Sequence, residues 1–287
     1  MYQRCTTNMK TTTKKARVRP YWRAILTTGA LLLIASAWLG HSVSCVVEKV
    51  GGNPSNGGYG AWPTCVNLIR HRPRIWSFGV GCDTTFELDL KQRFHHADIH
   101  SFDPTINQAR FEHCMDLSYQ ALYGVPMEKS SVFFEQKGLA NLSGFVKFKK
   151  SNDPRIGSKS IAYGIRDMSG EEYKIDDGAT SPASVETLRN LYKSHGILPT
   201  SNMGYVLDVL KLDVEGAEFD IVPSWCRTKF HPLAKQILVE FHERLFLDAA
   251  NKRNKVYACL QDLGYLVVHE HEPSKEEVVF VHFKRLK

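Results

Sequence analysis

The residues best equipped for chemistry fall in two short segments. In the first, Asp208-Val209-Leu210-Lys211-Leu212-Asp213-Val214-Glu215-Gly216-Ala217-Glu218-Phe219, an apolar run ends in acids, a glycine and a helix start. Ligands of open α/β sheets bind outside the carboxyl ends of strands, so Asp213 and Glu215 stand where a reaction would occur. Glu218 suits charge complementarity at a helix N-terminus, whereas Asp213 does not. In the second, the run Ile237 to Phe241 is followed by His242 and Glu243, with Glu240 inside it. A reaction that removes a proton from a hydroxyl needs a base within hydrogen-bond reach, and imidazole has the reference pKa nearest neutrality. The catalytic candidates are therefore Asp213, Glu215 and His242. Asp213 with Glu240 or His242 could also hold a divalent cation, but no HExxH or Cys-His spacing supports zinc, and no metal is assigned.

A third segment reads as a ligand cradle. Phe78-Gly79-Val80-Gly81-Cys82-Asp83 follows the strand candidate Arg74 to Phe78 and precedes a helical stretch. Gly79 and Gly81 permit a tight strand-to-helix turn and close backbone approach by a ligand. Asp103 ends the next strand candidate, near the spacing of about 20 residues at which an acid binds a ribose diol. Pro104 fixes the turn leaving that strand.

The elements that must position these residues are short β-rich runs alternating with helical stretches. Strands are expected at Arg74 to Phe78, Ile99 to Phe102, Ser160 to Tyr163, Val206 to Val214, Ile237 to Phe241, Tyr265 to Val268 and Val278 to Phe283. Helices are expected at Thr84 to Phe94, Ser184 to His195, Glu218 to Trp225 and Lys252 to Leu263. Such alternation predicts a mostly parallel sheet with helices on both faces, closed by an antiparallel hairpin at one edge. Glu135 to Lys159 is irregular and reads as an insertion. Its Lys147, Lys149, Lys150, Arg155 and Lys159 read as a solvated loop. Trp62, Trp76 and Trp225 could stack on sugars or fill the core.

Val209 to Glu218 closely resembles the signature of FkbM-type methyltransferases. Ile237-Leu238-Val239-Glu240-Phe241-His242 resembles that family's next strand, and Ile161 to Gly170 the segment before the signature. Ser77-Phe78-Gly79-Val80-Gly81 with Ser101-Phe102-Asp103-Pro104-Thr105 is most similar to the methyltransferase-like 24 branch. The resemblance implies a Rossmann-like, seven-stranded α/β methyltransferase sheet with S-adenosyl-L-methionine lying over its first two strands. It implies that Gly79 and Gly81 approach the methionine portion, Asp103 the ribose, Asp167 the adenine, and Asp213 the transferred methyl. Two positions depart from the pattern: Ser77 stands where many relatives carry an acid, and Asp83 at the third glycine.

Charge and hydropathy suggest a compartment. Arg4, Lys10, Lys14, Lys15, Arg17, Arg19 and Arg23 precede the first acid, Glu48, and they account for the whole formal charge of +7. The remainder is balanced, so the basic footprint of a nucleic-acid binder is missing and no nucleic-acid partner is expected. Ala24 to Val47 lacks Lys, Arg, Asp and Glu. As a helix it would span about 36 Å, against a hydrocarbon core of about 30 Å. The positive flank predicts a cytoplasmic tail over 1–23, one transmembrane signal-anchor over 24–47 and a lumenal chain beyond, with a cleaved signal peptide as the competing reading. The glycine-rich stretch from Gly51 to Gly60 reads as a stem, so residues 48–60 form a linker and 61–287 the methyltransferase domain. Five cysteines follow the apolar stretch without CxxC spacing, and an oxidising lumen would allow one or two disulfides in an undetermined pairing. Asn141-Leu142-Ser143 is a glycosylation sequon. The expected function is methylation of a hydroxyl on a glycan or small molecule by a type II membrane protein of the Golgi. An inactive lumenal binding protein on the same scaffold, a metal-dependent hydrolase and a glycosyltransferase, for which Asp176-Asp177 is a weak echo of a DxD site, are the alternatives.

Overall fold

The computed structural model describes residues 45–52, 60–125, 127, 132–150, 161–164, 183–197, 204–271 and 276–282. Its centre is a seven-stranded mixed sheet. β3 (Arg74–Phe78), β4 (Asp98–Phe102), β5 (Val132–Glu135), β10 (Leu207–Leu212) and β11 (Ala234–Glu240) run parallel. β13 (Glu277–His282) is antiparallel to β11 and to the edge strand β12 (Tyr265–Glu270), giving the order β12-β13-β11-β10-β3-β4-β5. The chain runs outward from β3 to β5, then returns to start β10 on the other side of β3. The reversal puts a topological switch point between the carboxyl ends of β3 and β10.

Every residue of β10 is buried, as a central parallel strand covered on both faces requires. On one face Trp76, Phe78, Phe102, Leu210, Leu212, Ile237 and Phe280 pack against α3 (Leu188–Ser194), α4 (Glu218–Arg227) and α5 (Ala249–Asp262). On the other, Ile75, Ile99, Val209, Leu238, Val279 and Val281 meet α1 (Thr85–Arg93) together with Val50 and Trp62. α2 (Gln108–Tyr123) lies against α1 through Val80, Leu88, Phe111 and Met115. Asn107 accepts the Arg110 amide at its start, and Gly124 ends it in the left-handed conformation.

Three features differ from the sequence expectations. β1 (Val47–Val50) pairs antiparallel with β2 (Trp62–Cys65), and Cys45 is disulfide-bonded to Cys65. Gly51 and Gly52 donate their amides to Asp89 and Thr85 of α1 at 2.8 Å. Residues 45–52 thus belong to the folded unit rather than to the end of the anchor and the start of a linker. The remaining apolar stretch, 24–44, lies outside the described residues, among which no helix is long and apolar enough to cross a membrane. Second, a separate four-stranded sheet, β6 (Gly138–Leu139), β9 (Ala183–Glu186), β7 (Gly144–Lys150) and β8 (Ile161–Gly164), takes up the expected insertion, the third expected strand and the first turn of an expected helix. Third, counting Cys45, six cysteines form three disulfides, the others being Cys82–Cys114 and Cys226–Cys259.

Candidate active site

The turn after β3 brings Gly79, Gly81 and Asp103 together, with a different reason for each. Gly79 has φ +76°, and a side chain there would start 1.5 Å from the carbonyl oxygen of Asp213. It is glycine because the end of β10 crosses it; the Asp213 amide also donates to Phe78 O at 3.1 Å. Gly81, at φ +52°, has no atom within 4 Å of where its Cβ would sit. Its backbone borders free space, as a ligand cradle requires. The Gly81 amide donates to Asp103 Oδ2 at 2.8 Å, while Asp103 Oδ1 accepts from the Thr105 amide and hydroxyl at 2.8 and 2.5 Å. A carboxylate offers about four acceptor positions. Asp103 therefore keeps one, on Oδ2, for a hydroxyl.

Ser77 and Asp83, the two positions that break the sequence resemblance, have local work. Asp83 Oδ1 accepts from the Thr85 amide and hydroxyl at 3.1 and 2.6 Å, stabilising the start of α1. The Ser77 hydroxyl donates to Glu87 Oε1 at 2.5 Å, and Glu87 is wholly buried. Burial raises the Glu87 carboxyl, opposed by Lys211 and by the Ser77 bond. Helix α1 thus supplies a carboxyl beside β3 at Ser77.

At the switch point, the ends of β10 and β11 place four carboxylates around one imidazole. His242 is 1% exposed. Its Nε2 faces Glu215 Oε2 at 3.5 Å, Asp213 Oδ1 at 3.6 Å and Glu240 Oε1 at 3.8 Å. Its Nδ1 and its backbone amide lie 3.3 and 2.8 Å from Oε1 of the fully buried Glu218, whose Oε2 accepts the Gly216 amide at 2.9 Å. Asp213 Oδ2 is 3.5 Å from Lys211 Nζ, which lies 4.4 Å from the centre of the Trp62 ring. Glu215 has φ +50°, an uncommon conformation for a residue with a side chain, and its Oε2 is buried without a hydrogen bond.

Electrostatics reverse one expectation. Burial alone would depress His242, but Glu218, then Glu240 and Asp213, hold it up at about 10. The carboxylates around it therefore favour the protonated ring over the neutral base that its residue type suggested. Burial first and Asp213 second push Glu240 up to about 8. Burial likewise raises Glu215, against the pull of His242.

The other candidates are dispersed. Asp208 lies at the opposite end of β10, fully buried and held by Arg70 Nε at 2.8 Å and by the Arg74 amide at 3.0 Å. A cleft of about 380 Å³ at that end is lined by Arg70, Arg74 and Asp98, with Arg70 paired to Asp208 and Arg74 to Asp98. Glu243 turns away to Arg253 on α5 at 2.8 Å. Trp62, Trp76 and Trp225 are all buried core residues, so none is available to a sugar. Asp167, Asp176-Asp177, Arg155 and Lys159 lie outside the described residues. Sequence reasoning missed Glu218 as the partner of His242 and Lys211 as a buried cation. A lysine two residues before Asp213, inside the apolar run Val209 to Leu212 and hence on the same face, was the available signal.

No family model and no curated protein matches the chain. Among solved structures it is similar to the crystal structure of a methyltransferase FkbM from Methylobacillus flagellatus KT, at 11% identity and a TM-score of 0.39. The match covers 75% of this chain and 45% of that one, so the chain spans less than half the length of that structure.

Proposed function

We propose that the chain is an S-adenosyl-L-methionine-dependent methyltransferase that acts on a hydroxyl of a glycan or small molecule in the lumen of the secretory pathway. The observation that carries the reading is the meeting, at one switch point, of a glycine turn open to solvent, an acid with a free acceptor position and a carboxylate–imidazole cluster. The motif resemblance at Val209 to Glu218 selects methyl transfer among the reactions such a site could run. The bound cofactor would supply an electrophilic methyl, the S–CH3 bond breaking toward sulfur as the acceptor oxygen forms O–CH3. Gly81 and Asp103 fit its binding by their open backbone and free Oδ2 position. Asp213 and Glu215 face the acceptor, and the cluster of carboxylates around His242 receives the hydroxyl proton on its way to water.

The lumenal assignment is supported by the three disulfides, which persist in oxidising compartments. Residues 24–44 remain long enough, at about 31 Å as a helix, to anchor the chain. The test is calorimetric titration of the full chain with S-adenosyl-L-methionine, beside Gly81→Val, which fills the open space. The expected result is 1:1 binding, weakened at least about tenfold in a folded Gly81→Val protein. A folded wild type that does not bind the cofactor would overturn the enzyme reading and leave a binding protein on this scaffold.

A further inference from the structure

The His242 ring is fixed from behind and left without a hydrogen bond in front. Glu218, itself fully buried, holds Nδ1 and the His242 backbone amide. That is the arrangement in which a carboxylate orients a metal-ligating imidazole and sets which nitrogen faces the ion. Nε2 points at three carboxylate oxygens, 3.5 to 3.8 Å away, too far for hydrogen bonds. Among the described residues Nε2 makes none. Glu215 Oε2, buried in the same place, also lacks a hydrogen bond. Cations with bonds of about 2.0–2.2 Å hold neighbouring ligand atoms about 3.0–3.5 Å apart, and ligand atoms of Asp213, Glu215 and His242 all lie within 4.8 Å of one another. The separations suit atoms that share an ion better than atoms that bond to each other.

Charge points the same way. Asp213, Glu215, Glu218 and Glu240 converge beside the ends of β10 and β11, and among the described residues the cations paired with them are Lys211 at 3.5 Å from Asp213, Arg244 at 3.8 Å from Glu215 and the imidazole itself. Lys211 is buried and meets Asp213 at Oδ2, whereas Nε2 faces Oδ1; Arg244 is partly exposed and lies farther from Glu215 Oε2 than Nε2 does.

We infer that Asp213, Glu215 and His242 form a binding site for one divalent first-row cation, with Glu218 positioning the imidazole and Glu240 beside it. Two carboxylates and one imidazole leave open coordination positions on such an ion. In the methyltransferase reading, on which only its role depends, the ion takes the acceptor oxygen in an open position and lowers the pKa of its hydroxyl. The test uses the full chain purified in detergent, stripped with chelator and titrated with Mn²⁺ under electron paramagnetic resonance. One Mn²⁺ per chain is expected, with affinity reduced at least about tenfold in Asp213→Asn and Glu215→Gln and about 10–100-fold in Glu218→Gln. Asp213 and Glu215 side chains are 24% and 33% exposed, so both variants should fold, as circular dichroism would verify. Absence of stoichiometric Mn²⁺ binding, or binding unchanged in both folded variants, overturns the site. Titration of the same samples with S-adenosyl-L-methionine separates the two readings. Mn²⁺ without cofactor binding keeps the site and removes its role; cofactor without Mn²⁺ removes the site alone.

Discussion

Replacing Glu218 with alanine tests how the two strand ends are held together. Oε2 accepts the Gly216 amide at 2.9 Å and Oε1 accepts the His242 amide at 2.8 Å, both in the interior. Without the carboxylate, two buried backbone donors lose their acceptor. Each such loss costs about 1–3 kcal/mol, so the variant should lose about 2–6 kcal/mol, against a total stability of about 5–15 kcal/mol for a typical protein. Glu218→Gln keeps one carbonyl oxygen and turns an amide group toward the other donor, and should lose roughly half as much. Urea unfolding with the disulfides intact, followed by tryptophan fluorescence, reads both variants. Adding His242→Ala to each completes a cycle, and because Glu218 and His242 share one network the effects should be non-additive by about 0.5–3 kcal/mol. A Glu218→Ala protein within about 1 kcal/mol of wild type, or strict additivity with His242→Ala, would refute the claim that this carboxylate ties the turn after β10 to the end of β11.

Gly79→Ala should yield little folded protein, since its Cβ would start 1.5 Å from the Asp213 carbonyl oxygen. Gly81→Ala should fold, with a loss of about 1–2 kcal/mol for the left-handed backbone alone; equal behaviour of the two in circular dichroism and yield would contradict the distinction. Removing Cys45–Cys65 by paired serine substitution should cost about 3 kcal/mol, from loop entropy over a sequence separation of 20, and expose residues 45–52 to limited proteolysis. An unchanged thermal midpoint and digestion pattern would count against β1 as part of the domain. Glu87 titrates higher in the folded chain than in the unfolded one because it is buried. The folded state therefore binds the extra proton, and stability falls as pH rises from the unfolded value, about 4.3, toward the folded one. Glu87→Gln keeps an acceptor for Ser77 and should flatten that decline; an identical pH profile would show that the carboxyl carries none of it.

The strands nearest the site were legible because burial on both faces writes a plain signal. β3, β4, β10 and β11 appear as apolar runs ended by polar residues, and the structure places each within three residues of its expected start. α2 was not legible: of its 16 residues only Phe111, Cys114, Met115 and Ser118 are buried, too narrow a stripe to stand out among charged neighbours. β9 was absorbed into a helix because Ala183 to Glu186 runs into α3 without a glycine or proline between them. The domain start was misplaced for the opposite reason. The glycine-rich composition after Val50 suggested flexibility, but Gly51 at φ +75° packs where a side chain would meet the backbone of Phe86 at 2.5 Å, so there glycine marks close contact.

The same ambiguity runs through the candidate cofactor turn and changes what its motif means. Both glycines read alike in sequence, as permission for a tight turn. In the structure Gly79 answers to Asp213 and would be needed in a protein that bound nothing, so its presence says little about a ligand. Gly81 answers to no protein atom and is the glycine on which a binding argument can stand. Asp103 divides in the same way: three of its about four acceptor positions secure Gly81 and Thr105, and one remains. A full two-hydroxyl grip on a ribose therefore requires the Gly81 amide to move off Oδ2, or the second hydroxyl to find another partner. Because that amide belongs to the residue bordering free space, ligand entry and release of the amide would occur at one point. In the proposed reading, cofactor binding would thus require a shift of the Gly79–Gly81 turn rather than use a preformed diol site.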